Sequence, residues 1–257
     1  MTLIWLSIAS AVGWFISSLA GGGSSLILIP MISLFLGTAA LAPVITIGGI
    51  FGNTERAYTY RQHVDWQVLR WDIPGAVVGA GLGAFTFTKL HVEWLGILVA
   101  VFLLLSAYSY AFKGESTSFE VKAWYFLPAS FVYAFLSGVI GSMGPLLVPF
   151  YLNYGLQKEA LLATQSATRV LIHGVKLIAY AAFGALTQAH IGYGILIGLA
   201  AFPGNWLAHI VLERISEQRF RQLVTSFVMV SGVLLLWQQR SLISGNLMMA
   251  RMALGYG

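Results

Sequence analysis

The first 54 residues of the chain, Met1 to Thr54, contain no Asp, Glu, Lys or Arg. As one straight helix this run would be about 80 Å long, at about 1.5 Å per residue, whereas the hydrocarbon core of a bilayer is about 30 Å thick. The run therefore turns back within the membrane and holds at least two membrane segments. Further charge-free runs cover residues 94–112, 123–157, 177–212 and 222–239. This pattern predicts an integral membrane protein without a soluble domain of any size.

Composition argues against several other classes of protein. Only 9% of the 257 residues are charged, whereas a soluble domain carries about a quarter. The chain starts without a basic residue, and its apolar stretch is too long for a signal peptide, so no cleavable signal is expected. The absence of cysteine excludes disulfides and thiolate metal sites. The net charge of +5 belongs to loops and a few interior positions, so nucleic acid is not an expected partner. The sequence predicts no cofactor, metal ligand or catalytic residue.

The sequence contains an internal repeat, in which residues 22–30 align with residues 141–149 at an offset of 119. Both stretches are a glycine-containing turn followed by apolar residues and a proline. Further pairs at similar offsets are Arg56 with Lys176, Tyr60 with Tyr180, and Val78-Gly79 with Pro203-Gly204. We interpret the chain as a tandem duplication, because repeats of this kind are a common way to build transporters.

Each half contains five hydrophobic segments. They cover about 2–20, 24–37, 39–62, 68–88 and 93–112, and then about 123–140, 144–156, 158–182, 188–211 and 219–238. An odd number of crossings per half turns the second half upside down. We therefore predict an all-α membrane protein of about ten transmembrane segments, arranged as two inverted repeats. The predicted parts are a first repeat (1–112), a linker loop (113–122), a second repeat (123–238) and a C-terminal tail (239–257).

The loop charges predict the orientation of this layout. With ten alternating crossings, one face receives Arg61, Arg70, Lys113, Lys122, Lys158, Arg214, Arg219 and Arg221, and the other receives Lys89, Arg240 and Arg251. Lys and Arg are retained on the cytoplasmic side of membrane proteins. Both termini are therefore expected outside the cytoplasm.

Two of the segments, 24–37 and 144–156, are too short to cross a membrane as helices. Short segments interrupted by Gly or Pro, at matching positions of two halves, indicate the binding site of a transporter near the bilayer midplane. The turns before them supply the first candidate binding residues: Gly22, Gly23, Ser24, Ser25, Ser142, Met143 and Gly144. Helix N-termini and glycine-rich backbone favour anions. Tight helix packing is the alternative explanation for the glycines.

The third segment of the second half carries a polar stripe. Gln165, Arg169, His173, Lys176 and Tyr180 are three or four residues apart and therefore share one helix face. Arg169 falls near the centre of this segment, where a charge costs at least about 2.5 kcal/mol and marks a functional site by default. A guanidinium suits carboxylate, sulfonate or phosphate oxygens. The alternative is an ion pair with an interior acid, and the candidates are Glu55, Asp72 and Glu159.

The matching segment of the first half adds Asn53 and Arg56 as candidate binding residues. Arg56 either reaches the interior or extends to the interface, and both explanations stay open. His173 either changes charge near neutral pH and couples transport to protons, or is a satisfied interior histidine. Because the interior polar set is net positive, a small anion is the expected ligand.

These motifs resemble the TauE/SafE sulfite-exporter family. The likeness covers both repeats and nearly the whole chain. It is carried by GGGSSLILIP at 21–30, GSMGPLLVP at 141–149, YRQHVDW at 60–66 and the Gly-x-x-x-Gly runs within 75–83. The resemblance implies a secondary transporter in the bacterial inner membrane that exports sulfite, sulfoacetate or related organosulfonates. The second turn differs from the family pattern, with Ser142, Met143 and Pro145 where glycines are common.

Two other functions are left open by the sequence. One is an anion channel. The other is an intramembrane serine hydrolase, since Gly22-Gly23-Ser24 loosely matches a Gly-x-Ser nucleophile with His173 or His209 as base. The expected partners are a small anionic substrate and the lipid bilayer, with a homodimer as one assembly open to the chain. No phosphate-binding P-loop is present, so ATP is not the expected energy source.

Overall fold

A computed structural model describes residues 1–89 and 120–238, together with the isolated Leu104. Within those residues all regular secondary structure is helical. The helices are α1 (Thr2–Leu19), α2 (Ser25–Leu36), α3 (Leu41–Thr59), α4 (Trp66–Lys89), α5 (Phe126–Ile140), α6 (Val148–Tyr154), α7 (Lys158–Ala182), α8 (Gln188–Leu212) and α9 (Glu217–Gln238). The prediction of an all-α protein is therefore confirmed for this part of the chain.

The predicted segments match these helices to within a few residues, with one difference. The segment predicted at 144–156 contains only the seven-residue α6, because residues 144–147 form turns before it. Pro149 lies in the first turn of α6, where proline is well tolerated. The segment predicted at 93–112, most of the linker and the tail 239–257 lie outside the described residues. The count of ten crossings stays a prediction.

The distribution of polar and apolar side chains is the reverse of that in a soluble protein. Charged and amide side chains such as Arg56, Asp72, Lys176, Gln165 and Asn205 are almost fully buried. Large apolar side chains on the outer faces are about half exposed, among them Ile4, Trp5, Val78, Leu199 and Trp206. An apolar exterior of this extent marks a surface that is covered by lipid or protein, and interior ionisable groups are typical of transporters.

Two of the described helices, α1 and α8, are long and apolar enough to cross a membrane. By itself this count is weak evidence, since buried helices of soluble proteins pass the same test. Residues Ser25–Leu36 and Ala123–Val139 form shorter apolar helices. The polar stripe of α7 lowers the mean hydropathy of this helix. Helix α7 is therefore less apolar than α1 and α8, although it lies in the same bundle.

The helix contacts follow a paired pattern between the two halves. Helix α1 of the first half packs along α8 of the second, and α4 of the first half packs along α5 of the second. The third helices, α3 and α7, pack against each other, and each also packs against the fourth helix of the other half. These contacts join the two predicted halves into one interlocked bundle.

Glycines permit the closest of these approaches. A methyl group added at Gly79 of α4 would collide with the carbonyl oxygen of Phe131 on α5. At the matching position of the other pair, a methyl group at Gly204 of α8 would collide with the carbonyl oxygen of Ala11 on α1. Small residues allow membrane helices to approach backbone to backbone in this way.

We predict that Gly79→Ala destabilises the protein, whereas Gly81→Ala on the same helix does not. The colliding atom at residue 79 belongs to a helix backbone, so α4 and α5 have to separate. At residue 81 the nearest atom is Cγ1 of Val175 at 3.9 Å, an ordinary contact distance. We expect a loss of about 1–3 kcal/mol for Gly79→Ala, the usual cost of overpacking, measured as a lower melting temperature in detergent. Equal melting temperatures for the two variants would contradict the close packing of these helices.

Candidate anion-binding site

The polar stripe predicted on α7 lies on the inner face of that helix. Gln165, Arg169, His173, Lys176 and Tyr180 are all buried. Three of them donate hydrogen bonds to the backbone of the two glycine-containing turns: Gln165 Nε2 to Gly21 O at 2.7 Å, Arg169 Nη2 to Gly144 O at 3.2 Å, and Lys176 Nζ to Gly141 O at 2.6 Å. Helix α7 therefore holds both turns in place from one side.

A small pocket lies between the two turns and α7. Its cavity volume is about 20 Å³, roughly enough for one water molecule. The residues that line it come from both halves and are Trp14, Gly23, Ser24, Ser25, Leu28, Ile45, Gly49, Asn53, Tyr133, Ser142, Gly144, Arg169 and His173. The N-terminus of α2 faces this pocket, and there Leu26 N donates to Gly23 O at 3.0 Å and Ile27 N to Ser24 O at 3.2 Å.

Several lining residues occupy equivalent positions of the repeat. The pairing of Arg56 with Lys176 sets an offset of 120 between the third helices. At that offset Gly49 corresponds to Arg169, and Asn53 corresponds to His173, and all four line the same pocket. The pocket is therefore built from the same part of each half, with different side chains on its two sides.

Two glycines leave the space that the polar side chains of α7 occupy. A Cβ atom at Gly22 would lie 2.8 Å from both Nη1 and Nη2 of Arg169. A Cβ atom at Gly49 would lie 2.6 Å from Nε2 of His173. Gly22 also has a φ of +135°, a conformation that side chains disfavour. The guanidinium of Arg169 and the imidazole of His173 therefore pack directly against the backbone at Gly22 and Gly49.

The chemistry of the pocket favours a negatively charged ligand. Its lining contains Arg169 and no carboxylate, and no described acid forms an ion pair with this arginine. The indole Nε1 of Trp14 is buried without a hydrogen-bond partner among the described residues, and an indole N–H is only a donor. The hydroxyls of Ser24, Ser25 and Ser142 add donors that rotate to suit a ligand. A compact anion would find a fixed positive charge and several donors here.

Eight of the thirteen predicted binding residues line the pocket, and five lie outside its lining. Gly22 packs against the guanidinium of Arg169, and Gln165 donates a hydrogen bond to Gly21 in the first glycine-containing turn. Lys176 bonds Ser137 Oγ at 3.2 Å as well as the second turn. The other two lie further from the ligand space: Arg56 bonds Ser17 and Asn205, and Met143 packs in the apolar core.

The structure adds lining residues that the sequence analysis did not select. Trp14 and Tyr133 contribute aromatic walls, and the guanidinium of Arg169 lies 5.8 Å from the centre of the Tyr133 ring. Leu28 and Ile45 contribute apolar walls. Nothing in the spacing of these four distinguishes them from lipid-facing or core residues. Gly49 was detectable, because the repeat places it opposite Arg169.

Comparison with known proteins gives one match. A family model described as "Sulfite exporter TauE/SafE" matches residues 5–235. No curated protein matches the chain. No solved structure matches it either.

We predict that Gly22→Ala displaces Arg169 from the pocket, with Gly155→Ala as the matched control. Both glycines have positive φ angles, +135° and +100°, but a Cβ atom at Gly155 meets nothing within 4 Å. Both substitutions therefore place an alanine where φ is positive, but only Gly22→Ala also brings a methyl group into contact with the guanidinium of Arg169. We expect sulfite to raise the melting temperature of Gly155→Ala, as a bound ligand does, and to leave Gly22→Ala unchanged. An equal response of both variants would show that the guanidinium does not depend on Gly22.

Proposed function

The chain belongs to the TauE/SafE sulfite exporter family, and from this premise we propose that it exports sulfite, sulfoacetate or related organosulfonates by alternating access. The members of the family are multi-pass membrane transporters and not enzymes, which agrees with the prediction of a non-catalytic membrane protein. The family also implies a small anionic substrate. The proposal concerns the particular anions, the site that binds them and the way in which the site opens.

The observation that carries the proposal is Arg169, buried between both turns and facing a pocket without a carboxylate. Sulfite and sulfonate groups present three oxygens on a compact, charged head. A guanidinium binds two such oxygens at once, because its N–H groups form a planar fork. The serine hydroxyls and the indole of Trp14 are then available for the third. Leu28 and Ile45 form the apolar part of the lining.

The paired contacts support an inverted repeat and a site near the midplane. The cation of each third helix bonds the serine near the end of the first helix of its own half: Arg56 Nη2 to Ser17 Oγ at 3.3 Å and Lys176 Nζ to Ser137 Oγ at 3.2 Å. In inverted repeats, equivalent positions meet at an axis in the membrane plane, and one half rocks against the other around the fixed site. Positions of α3 and α7 that are equivalent in the predicted repeat line the pocket, which supports this mechanism.

We propose the bacterial inner membrane as the location, with the basic loops in the cytoplasm. In that orientation the membrane potential, negative inside, favours the exit of anions by about 2.3 kcal/mol per charge per 100 mV. Export therefore needs no ATP. Assembly into a homodimer stays a prediction from the sequence.

We predict that Arg169→Ala reduces flux of sulfite and sulfoacetate from proteoliposomes to the level of protein-free liposomes. Arg169→Lys keeps the charge but loses the planar fork. We expect its affinity to fall by about 10- to 100-fold, because a hydrogen bond to a charged group contributes about 1.5–3 kcal/mol. Arg61→Ala is the control, since it removes an exposed arginine whose contacts in the described part of the chain are a hydrogen bond to the backbone of Tyr58 and a contact with its ring. Wild-type flux in Arg169→Ala would remove this residue from the site.

The same liposomes distinguish a carrier from a channel. A carrier that works by alternating access accelerates the uptake of labelled sulfoacetate when unlabelled sulfoacetate is present inside. Single-channel currents without such acceleration would instead favour the anion channel.

A further inference from the structure

A carboxyl group is buried next to the pocket without a counter-ion. Asp72 lies on α4 and is fully buried. Its Oδ2 accepts hydrogen bonds from Tyr151 Oη on α6 at 2.8 Å and from Thr168 Oγ1 on α7 at 2.6 Å. Its Oδ1 has no hydrogen-bond partner among the described residues. No Lys or Arg in the described part of the chain forms an ion pair with it.

Such a group is costly when it is ionised. A carboxylate in a membrane interior costs several kcal/mol unless it is paired and fully hydrogen-bonded. The hydroxyls of Tyr151 and Thr168 donate only to Oδ2, so the carboxylate is neither paired nor fully hydrogen-bonded among the described residues. The unpartnered Oδ1 is the atom at which a proton would remove the charge.

The fold itself does not require a carboxyl group at this place. The offsets of the repeat pair Asp72 with Ile197, Thr168 with Gly48 and Tyr151 with Ile32. At these paired positions the contact is apolar: Ile197 and Ile32 belong to one buried hydrophobic cluster. Gly48 is packed so tightly against Ile197 that its added Cβ atom would lie 2.5 Å from Cγ1. One crossing between a third and a fourth helix thus has apolar side chains at these positions, and the matching crossing has a buried acid.

The acid is linked directly to the binding site. Thr168, which donates a hydrogen bond to Asp72, directly precedes Arg169 on α7. Tyr151 belongs to α6, the short helix that follows the second turn. The Asp72 hydrogen bonds therefore join the scaffold helix α4 to both elements that hold the ligand space.

Few other ionisable groups surround Asp72. Helix α5, which packs along α4, carries only Tyr133, and the short helix Ala123–Tyr125 carries only Tyr125. Helix α6 carries Tyr151 and Tyr154, and Tyr151 bonds the carboxyl group. Helix α7 carries Lys158, Glu159, Arg169, His173 and Lys176, and Arg169 directly follows Thr168, which also bonds the carboxyl group. In the described part of the chain, Asp72 is therefore held by burial and two hydroxyl donors, without a cation in an ion pair.

We propose that Asp72 is a proton-binding site that is linked to occupancy of the pocket. With the pocket empty, Asp72 is ionised and is held by the hydroxyls of Tyr151 and Thr168, and Thr168 directly precedes Arg169 on α7. When an anion binds at Arg169, a second negative charge enters the same interior, and a proton from the solvent adds to Oδ1 of Asp72. By thermodynamic reciprocity, a proton on Asp72 then increases the affinity for the anion. Proton relays in membrane transporters commonly use interior carboxyl groups of this kind. The identity of the anion rests on the proposed function, whereas the proton site does not.

Infrared difference spectroscopy of the purified wild-type protein tests the proton site without any substrate. We expect a carboxylic acid C=O band to appear between mildly alkaline and mildly acidic buffer, and to be absent in Asp72→Asn. Asp65→Asn is the control, because Asp65 on the same side of α4 is only partly buried and caps the start of that helix. If Asp72→Asn does not fold, Tyr151→Phe assigns the band, because loss of one hydroxyl donor shifts its frequency. Identical spectra for the wild type and the variants would overturn the proposal.

Addition of sulfoacetate at constant pH tests the linkage, since both of its acidic groups are fully ionised near neutral pH. We expect the Asp72 band to grow in the wild type, and a proton gradient to change sulfoacetate flux several-fold in the wild type but not in Asp72→Asn. Binding of sulfoacetate without any change in the band would overturn the linkage. If neither sulfoacetate nor sulfite binds, the proposed substrates and the linkage fail together, while the pH-dependent band still decides whether Asp72 exchanges a proton.

Discussion

The buried guanidinium of Arg169 is the group on which the rest of the arrangement depends. Arginine stays protonated in proteins, and its charge near the centre of a membrane helix costs at least about 2.5 kcal/mol. The chain meets this cost with backbone groups: Gly144 supplies a carbonyl oxygen, and Gly22 supplies the space in which the guanidinium lies. A carboxylate in direct contact would satisfy the arginine and weaken its attraction for a substrate. The missing ion pair is therefore what leaves the charge available.

Side chains hold the two glycine-containing turns in place. Non-helical backbone inside a membrane is tolerated only where it is buried in protein or lines a cavity. Here Gln165 and Lys176 donate to backbone carbonyls of the turns, and both side chains are almost fully buried. Their role in the structure is to position the turns, and this leaves Arg169 and His173 as the residues of the stripe that face the pocket. Close helix packing at Gly79 and Gly204, away from the pocket, stabilises the same helix bundle.

The local structure of α7 was predictable because its pattern is periodic. Predicted and observed bounds agree at residues 158–182, and the spacing of three and four residues places the stripe on one face. The short α6 was less predictable, since an apolar segment does not show where a turn ends and a helix begins. From the sequence, Asp72 is only one of three candidates for an ion pair with Arg169. Its hydroxyl partners on α6 and α7 are 79 and 96 residues away in sequence, and no local pattern brings them together.

The sequence by itself determined the membrane class, the duplicated turns and the cation stripe, because charge depletion, repetition and helical periodicity are properties of neighbouring residues. Only the tertiary structure decided which stripe residues face the pocket, that Trp14 and Tyr133 complete its walls, and that Asp72 is buried against Tyr151 and Thr168. The reason is physical. Burial, hydrogen bonding and charge separation depend on distances between helices, and those distances are set by side-chain packing across the whole bundle.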